Sequence, residues 1–211
     1  MEIVTKERIQ TLSDGIFAIV ATLLILEIKV PHIEDKTSIE ELITAFQIIL
    51  PKLVSWIISF AVIFVIYLNH HRLLNQVEHV STRLFWLNAY LLLFVTLIPF
   101  PTALMGEYPN NPLAVSTYGI VMMLMALGFI FMRGHLSRNK ELLSPNVDYV
   151  AFGITSRKSL FAGPVINLIG AASAWLNPAI AFLCYALVPM YFLFARSSKS
   201  QSEERVPTRS D

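Results

Sequence analysis

Residues 8–31 constrain the fold of this chain most, because they have the length and the apolar character of a helix that crosses a membrane. About 20 residues at 1.5 Å each span the hydrocarbon core of a bilayer. The segment nevertheless contains Ser13 and Asp14 near its start and Glu27 near its end. An acid inside a bilayer is costly, and such residues usually have a role. The segment therefore predicts a membrane helix that is more than an anchor.

The composition agrees with a membrane protein and gives no sign of other classes. Charged residues make up 15% of the 211 residues, against about 25% in typical soluble chains. A net charge of +1 without a basic stripe predicts no nucleic-acid partner. The single cysteine, Cys184, excludes an intrachain disulfide. Because no catalytic motif or metal-site spacing is present, we expect no enzyme, no cofactor, no metal and no soluble protein partner.

Six apolar segments predict an all-α membrane protein with six transmembrane helices. They cover residues 9–30, 52–67, 84–105, 113–132, 160–175 and 178–194. We interpret residues 39–50 as a more polar lead-in to the second segment, with a kink at Pro51, and the pair Pro99 and Pro101 as the end of the third. Residues 1–196 are thus predicted to form the transmembrane domain, and residues 197–211 a disordered cytoplasmic tail.

The distribution of basic residues predicts the orientation. Of the 16 lysines and arginines, 13 fall on one side of the predicted spans and 3 on the other. The positive-inside rule then predicts a multi-pass membrane protein with both termini in the cytoplasm. The longest connection, residues 134–159, is interpreted as a solvated loop. The alternative is that its apolar residues Leu142, Leu143, Val150 and Phe152 lie on the membrane surface.

The first helix has two different faces. Successive positions rotate by about 100° around a helix. One stripe is therefore aliphatic, with Thr22 on its flank, while Ser13 and Asp14 point roughly the opposite way. The members of this stripe are Leu12, Gly15, Ile19, Leu23 and Leu26. Taken alone, such a stripe is typical of helix packing.

The polar face of the first helix requires partners from the same side of the membrane. We predict a hydrogen-bonded pair of Ser13 and Asp14 that meets His70 or His71 and clamps the first three helices together. Asn88 in the third span is a further candidate partner, and Arg8 stands at the membrane edge. The other candidates at the inner end of the second span are Asn69 and Arg72. The histidines have an alternative position at the water interface.

The residues Arg8, Leu12, Ser13, Asp14 and Gly15 form the pattern RxxxLSDG. It resembles the signature RxxxFSDG of the transmembrane protein 175 family of potassium-permeable channels, particularly its bacterial members. Leu12 departs from the usual phenylalanine, but every polar position is kept. The runs IFAIVATLLILEI, YLNHHRLL and LNAYLLLFVTLIPFPTALMGEY are also similar to the family. The last three spans match in hydropathy and placement.

This resemblance implies a homotetramer with six helices per subunit and a central pore lined by the first helix. It assigns Ile19, Leu23 and Leu26 to a hydrophobic pore constriction, with Ile19 narrowest, and Thr22 to a pore hydroxyl. The implied permeant ion is K⁺. The chain lacks the TVGYG run whose carbonyls form the filter of ordinary potassium channels.

Some alternatives stay open at this point. Glu27 either biases the outer mouth of the pore electrostatically or pairs with Lys29 at the interface. A proton pathway or a cation-coupled secondary transporter would use Asp14, His70 and His71, but these groups all cluster at the inner side. An inverted-repeat transporter has no support from an internal repeat. A membrane scaffold that conducts no ions is the remaining reading.

Overall fold

The structure, a computed structural model, describes residues 5–203, except for the side chains of residues 150–151, 153–162 and 191–203. Over this range the chain is helical, with one short 3₁₀ turn at Lys140–Leu142 and one isolated β-bridge between Val77 and Leu143. The helices are α1 (Lys6–Leu26), α2 (Ile39–Asn75), α3 (Thr82–Leu97), α4 (Pro99–Glu107), α5 (Pro112–Arg138), α6 (Tyr149–Ser173) and α7 (Pro178–Glu203).

Four stretches are long and apolar enough to cross a membrane: Lys6–Leu26, Ile39–Asn75, Thr82–Glu107 and Pro112–Arg138. Two shorter apolar stretches, Gly163–Ser173 and Pro178–Met190, lie within α6 and α7. They stand where the sequence predicts the fifth and sixth spans. The all-helical fold therefore fits six spans.

The prediction that Pro99 and Pro101 end the third span is wrong, while the kink at Pro51 stays a prediction. The helix α2 runs without interruption through Pro51, so residues 39–50 belong to the same helix as the second span. At 37 residues, α2 is about 55 Å long. Pro99 and Pro101 interrupt the third span at Ile98 and do not end it, because proline fits the first turn of a new helix, α4. The amide of Thr102 donates to Ile98 O at 3.2 Å, so backbone hydrogen bonding continues from the end of α3 into α4.

The connection predicted at residues 134–159 is shorter than expected, and part of it packs against the rest of the chain. Only residues 139–148 separate α5 from α6, and they fold against the turn that follows α2. The amide of Glu78 donates to Leu142 O at 2.8 Å, and the amide of Ser144 donates to Gln76 O at 2.9 Å. Leu143 is buried in the core. Phe152, on the first turns of α6, is buried as well, and the side chain of residue 150 is outside the described residues.

Side-chain contacts place the helix ends that carry arginine together. Gln10 Nε2 at the start of α1 donates to Asn75 Oδ1 at the end of α2, at 3.1 Å. Ser81, which caps α3, lies 2.9 Å from His135 Nε2 near the end of α5. We call this the basic end of the bundle, because its helix ends carry Arg8, Arg72, Arg83, Arg133 and Arg138. At the opposite end, Lys52 of α2 forms an ion pair with Glu107 of α4.

The last helix passes the predicted domain boundary. Its helical backbone continues to Glu203, beyond the boundary predicted between residues 196 and 197. The rest of the predicted tail, residues 204–211, lies outside the described residues.

Candidate functional site: the first helix

One face of α1 is packed inside the subunit. This face carries Ile9, Ser13, Phe17, Val20 and Leu24, all of them buried. It packs against α2, α3 and α4. The spacing of three or four residues between these positions is that of one helix face. Packing therefore fixes how α1 is rotated within the subunit.

The side of α1 that carries the predicted stripe is exposed on the single chain. The exposed fractions are 59% for Ile19, 42% for Leu23 and 68% for Leu26. Gly15 lies on the same face, and a Cβ added there would meet nothing within 4 Å. The stripe predicted from angles alone is thus turned away from the body of the subunit. We call it the exposed stripe of α1.

Thr22 lies beside the exposed stripe of α1 and uses its hydroxyl proton inside its own helix. Its Oγ1 is 2.8 Å from Ile19 O and 3.2 Å from Ala18 O, so it donates to the backbone. Donation of this kind is common for threonine within a helix. Because the proton points back into the helix, the oxygen lone pairs remain free to accept a hydrogen bond or to contact a cation.

A buried hydrogen-bond chain ties α1 to α2 and α3. Asn88 Nδ2 donates to Ser13 Oγ at 3.2 Å, and Ser13 Oγ donates to Ile9 O at 2.8 Å. His70 Nε2 lies 2.6 Å from Asn88 Oδ1, and since that oxygen only accepts, Nε2 carries the proton. Ser13, His70 and Asn88 are all buried. Phe17 packs against the His70 ring with 5.4 Å between centroids.

The structure brings only part of the predicted polar network together. Asp14 is exposed and forms no hydrogen bond with the described residues, although its charge acts electrostatically on His70. The reason is geometric: positions 13 and 14 differ by about 100° around the helix, so only one of them faces α3. The predicted Ser13–Asp14 pair is thus replaced by Ser13, Asn88 and His70. Arg8 is exposed at the start of α1.

His71 belongs to a second, more exposed set of contacts at the basic end. Its Nε2 lies 3.0 Å from Asn75 Nδ2, one helical turn further along α2. Asn75 in turn accepts the hydrogen bond from Gln10. The sequence analysis did not identify Gln10 and Asn75. The available signal was their spacing, because Gln10 lies three residues before Ser13, and Asn75 four residues after His71.

Glu27 lies exposed just after α1, at the end opposite the basic end. It lines a cavity of about 280 Å³ together with Lys29, Lys52 and Glu107. Lys52 and Glu107 form an ion pair there. Glu27 and Lys29, which are both described, do not form one. Nor do three His, Cys, Asp or Glu side chains converge on a metal-sized site in the described part of the chain.

Comparisons with known proteins agree on one family. The model of the family described as "Endosomal/lysosomal potassium channel TMEM175" matches residues 8–99. A protein of Streptomyces collinus named as a potassium channel is 32% identical, covering 96% of this chain and 95% of its own. A second, from Chamaesiphon minutus, is 34% identical and covers 83% of this chain and 89% of its own.

A solved structure and an animal protein extend this comparison. The crystal structure of a TMEM175 homologue from Chamaesiphon minutus, described as a lysosomal potassium-selective channel homologue, superposes with a TM-score of 0.78. It is 30% identical and covers 90% of this chain and 97% of that one. The human endosomal/lysosomal proton channel TMEM175 is 29% identical over 92% of this chain, which spans only 42% of the human protein. By its bacterial relatives and the fold it shares with them, this chain belongs to the TMEM175 family.

Proposed function

We propose that this chain is the subunit of a potassium-permeable channel, in which four copies surround a pore lined by the exposed stripe of α1. The fourfold arrangement rests on the resemblance of RxxxLSDG to the family signature. Potassium as the permeant ion rests on the bacterial relatives that are named potassium channels. The basic end lies in the cytoplasm, as the loop charge predicts.

The observation that carries this proposal is the arrangement of polar and apolar residues on the exposed side of α1. The aliphatic stripe is exposed, while the packing of α1 within the chain covers another side of the helix. Glu27 lies exposed just past the end of the stripe. A carboxylate turned towards lipid is costly, whereas at the entrance of an aqueous pore it attracts cations.

The aliphatic stripe sets how ions pass. Rings of Ile19, Leu23 and Leu26 offer no oxygen ligands, so a narrow constriction dewets and closes. When wider, it passes a partly hydrated cation, and K⁺ gives up water more readily than Na⁺. The oxygen of Thr22, whose proton is held by the backbone, supplies a ligand between these rings. Selectivity for K⁺ is therefore modest. Glu27 biases the outer mouth, and the buried chain of Ser13, His70 and Asn88 holds α1 in register.

The test is ion flux through the purified protein in liposomes. Under matched gradients we expect K⁺ flux well above that of protein-free liposomes, with a smaller Na⁺ flux. Absence of K⁺ flux in liposomes that contain correctly assembled protein contradicts the proposal.

Proton conduction is the second candidate, favoured by the animal relatives that are named proton channels and by the exposure of Asp14. Between Asp14 and Glu27, α1 carries no titratable residue, so protons would have to cross the constriction through water. A pH-sensitive dye inside the same liposomes distinguishes the two. Acidification that is fast while K⁺ flux is absent favours the proton channel.

A further inference from the structure

A second cavity, partly open to the outside, lies between α2, α5, α6 and α7, away from the exposed stripe of α1. Its volume is about 140 Å³, and its walls are mostly apolar. The apolar lining includes Val62, Ile66, Met122, Met125 and Phe129. Apolar cavities of roughly 150 Å³ stay dry and take up organic molecules. This cavity therefore suits a hydrocarbon better than water.

The cavity extends along α5. On α5 its lining runs from Tyr118 to Arg133, which is about 22 Å along the helix. One leaflet of a bilayer contributes roughly 15 Å of hydrocarbon. The lining along α5 is thus long enough for an acyl chain that enters from the basic end and reaches through one leaflet.

The end of the cavity at the basic end is cationic. Arg133 lines it, and its guanidinium lies 5.5 Å from the centroid of the Phe152 ring. No described carboxylate forms an ion pair with Arg133. One turn beyond Asn69, another lining residue, Arg72 carries a buried Nη1 without a hydrogen-bond partner. Arginine keeps its charge in proteins, and a buried guanidinium N–H without an acceptor is costly, so this end favours an anion.

At the other end of the cavity, the polar groups are hydrogen-bonded within the protein. Ser59 Oγ donates to Tyr118 Oη at 3.2 Å, and Tyr185 Oη donates to Val115 O at 3.1 Å. Asn167 Nδ2 donates to Gly163 O at 2.9 Å. The cavity therefore has an apolar body, a polar end that is already paired and a cationic end that is not. This is the complement of an amphiphile with an anionic head.

We propose that this cavity binds an anionic membrane phospholipid, with one acyl chain among the apolar residues and the phosphate against Arg133. A guanidinium binds phosphate oxygens in a bidentate manner, and basic pockets between membrane helices bind anionic head groups. The surrounding leaflet supplies the ligand directly at the basic end. The site is independent of the pore, so it stands whether or not the protein conducts K⁺.

The experiment uses the full-length protein, delipidated in detergent and then titrated with defined lipids. Native mass spectrometry counts bound lipid per subunit, and thermal unfolding follows stabilisation. We expect dioleoylphosphatidylglycerol to remain bound and to raise the Tm more than dioleoylphosphatidylcholine. Arg133→Met, in which an apolar side chain replaces the partly buried cation, should abolish this preference. Arg138→Met removes an exposed charge from the same helix end and should keep it.

A second variant tests the cavity itself. Gly163 lines the cavity, and a Cβ there would meet only Ala126 Cβ, at 3.8 Å. The first side-chain atom thus fits at this position, and we expect the rest of the leucine side chain in Gly163→Leu to occupy the cavity and displace the bound lipid. Equal retention of the two lipids by the wild type would overturn the proposal, as would undiminished binding in Gly163→Leu. Binding of oleate with none of phosphatidylglycerol would overturn it too, since the occupant would then be a free fatty acid.

Discussion

Thr22, which we propose contacts the permeant cation, has a hydroxyl that is oriented by its own helix. Its proton is donated to carbonyl oxygens of its own helix, so the oxygen is turned outwards as an acceptor. A valine has nearly the same shape but offers no oxygen. The contribution of this side chain to ion selectivity can therefore be separated from its contribution to packing.

We predict that Thr22→Val lowers the ratio of K⁺ to Na⁺ flux a few-fold, because the ring loses its oxygen ligands. Thr22→Ser, which keeps the hydroxyl, should retain most of the ratio. Both are measured by ion flux in liposomes with matched gradients. A valine variant with the wild-type ratio would show that this oxygen contacts no ion.

The buried chain through Asn88 gives a second prediction at the scale of residues. Asn88→Leu leaves Ser13 Oγ without its donor and His70 Nε2 without its acceptor, and each unsatisfied group costs about 1–2 kcal/mol. We expect a clear decrease in the Tm of the purified protein. Asp14→Asn should leave the Tm nearly unchanged, because Asp14 is exposed and outside that chain. A larger loss for Asp14→Asn than for Asn88→Leu would contradict this arrangement.

The sequence predicted which side of α1 each residue faces, but it predicted the contacts of those residues with other helices less well. Rotation by about 100° per residue correctly separates Ser13 from Ile19. It does not say which neighbouring helix stands opposite each face. The acid Asp14 attracted attention because a charge in a membrane is costly, yet the neutral pair of Ser13 and Asn88 makes the buried contact.

Among the elements, α5 depends on glycine for its contact with α6 and α7. A Cβ at Gly119 would lie 2.7 Å from Asn167 O and would also collide with the Tyr185 hydroxyl. Gly134, further along the same helix, has nothing within 4 Å of such a Cβ. The two positions form a matched pair, since alanine has the same intrinsic preference for a helix at both.

We predict that Gly119→Ala lowers the Tm because the backbones of α5 and α6 must move apart. Gly134→Ala should leave the Tm unchanged or raise it slightly, because alanine in a helix adds at most about 1 kcal/mol to the free energy of unfolding. Thermal unfolding in detergent measures both. Equal effects at the two positions would contradict the close approach of these helices.

Hydropathy predicted the positions of the helices better than it predicted their ends. The apolar runs are long, so their existence is robust. Pro99 and Pro101 were expected to end the third span, but the chain continues past them as α4. The connection at residues 134–159 was expected to be solvated, whereas part of it forms backbone hydrogen bonds to residues 76–79, distant in sequence, and buries Leu143. Such bonds leave no periodic signal in the chain.

At the scale of the whole molecule, the subunit does not cover the exposed stripe of α1 by itself. We predict that the assembly in mild detergent is a tetramer, with a mass four times the 23.8 kDa of the subunit. Light scattering coupled to size exclusion, or native mass spectrometry, measures this directly. A stable monomer that conducts K⁺ in liposomes would contradict a pore formed between subunits.

The central claim is that the face of α1 carrying Ile19 lines the ion path. Its direct test is block of K⁺ flux by a charged, water-soluble thiol reagent in a Cys184→Ser background, which removes the native thiol. Ile25 provides the control, because it is exposed on α1 but lies about 120° away from Ile19. We predict that the reagent abolishes most of the flux through Ile19→Cys and leaves that through Ile25→Cys intact. Block of Ile25→Cys with no effect on Ile19→Cys would place the pore on another face of the helix and contradict the account.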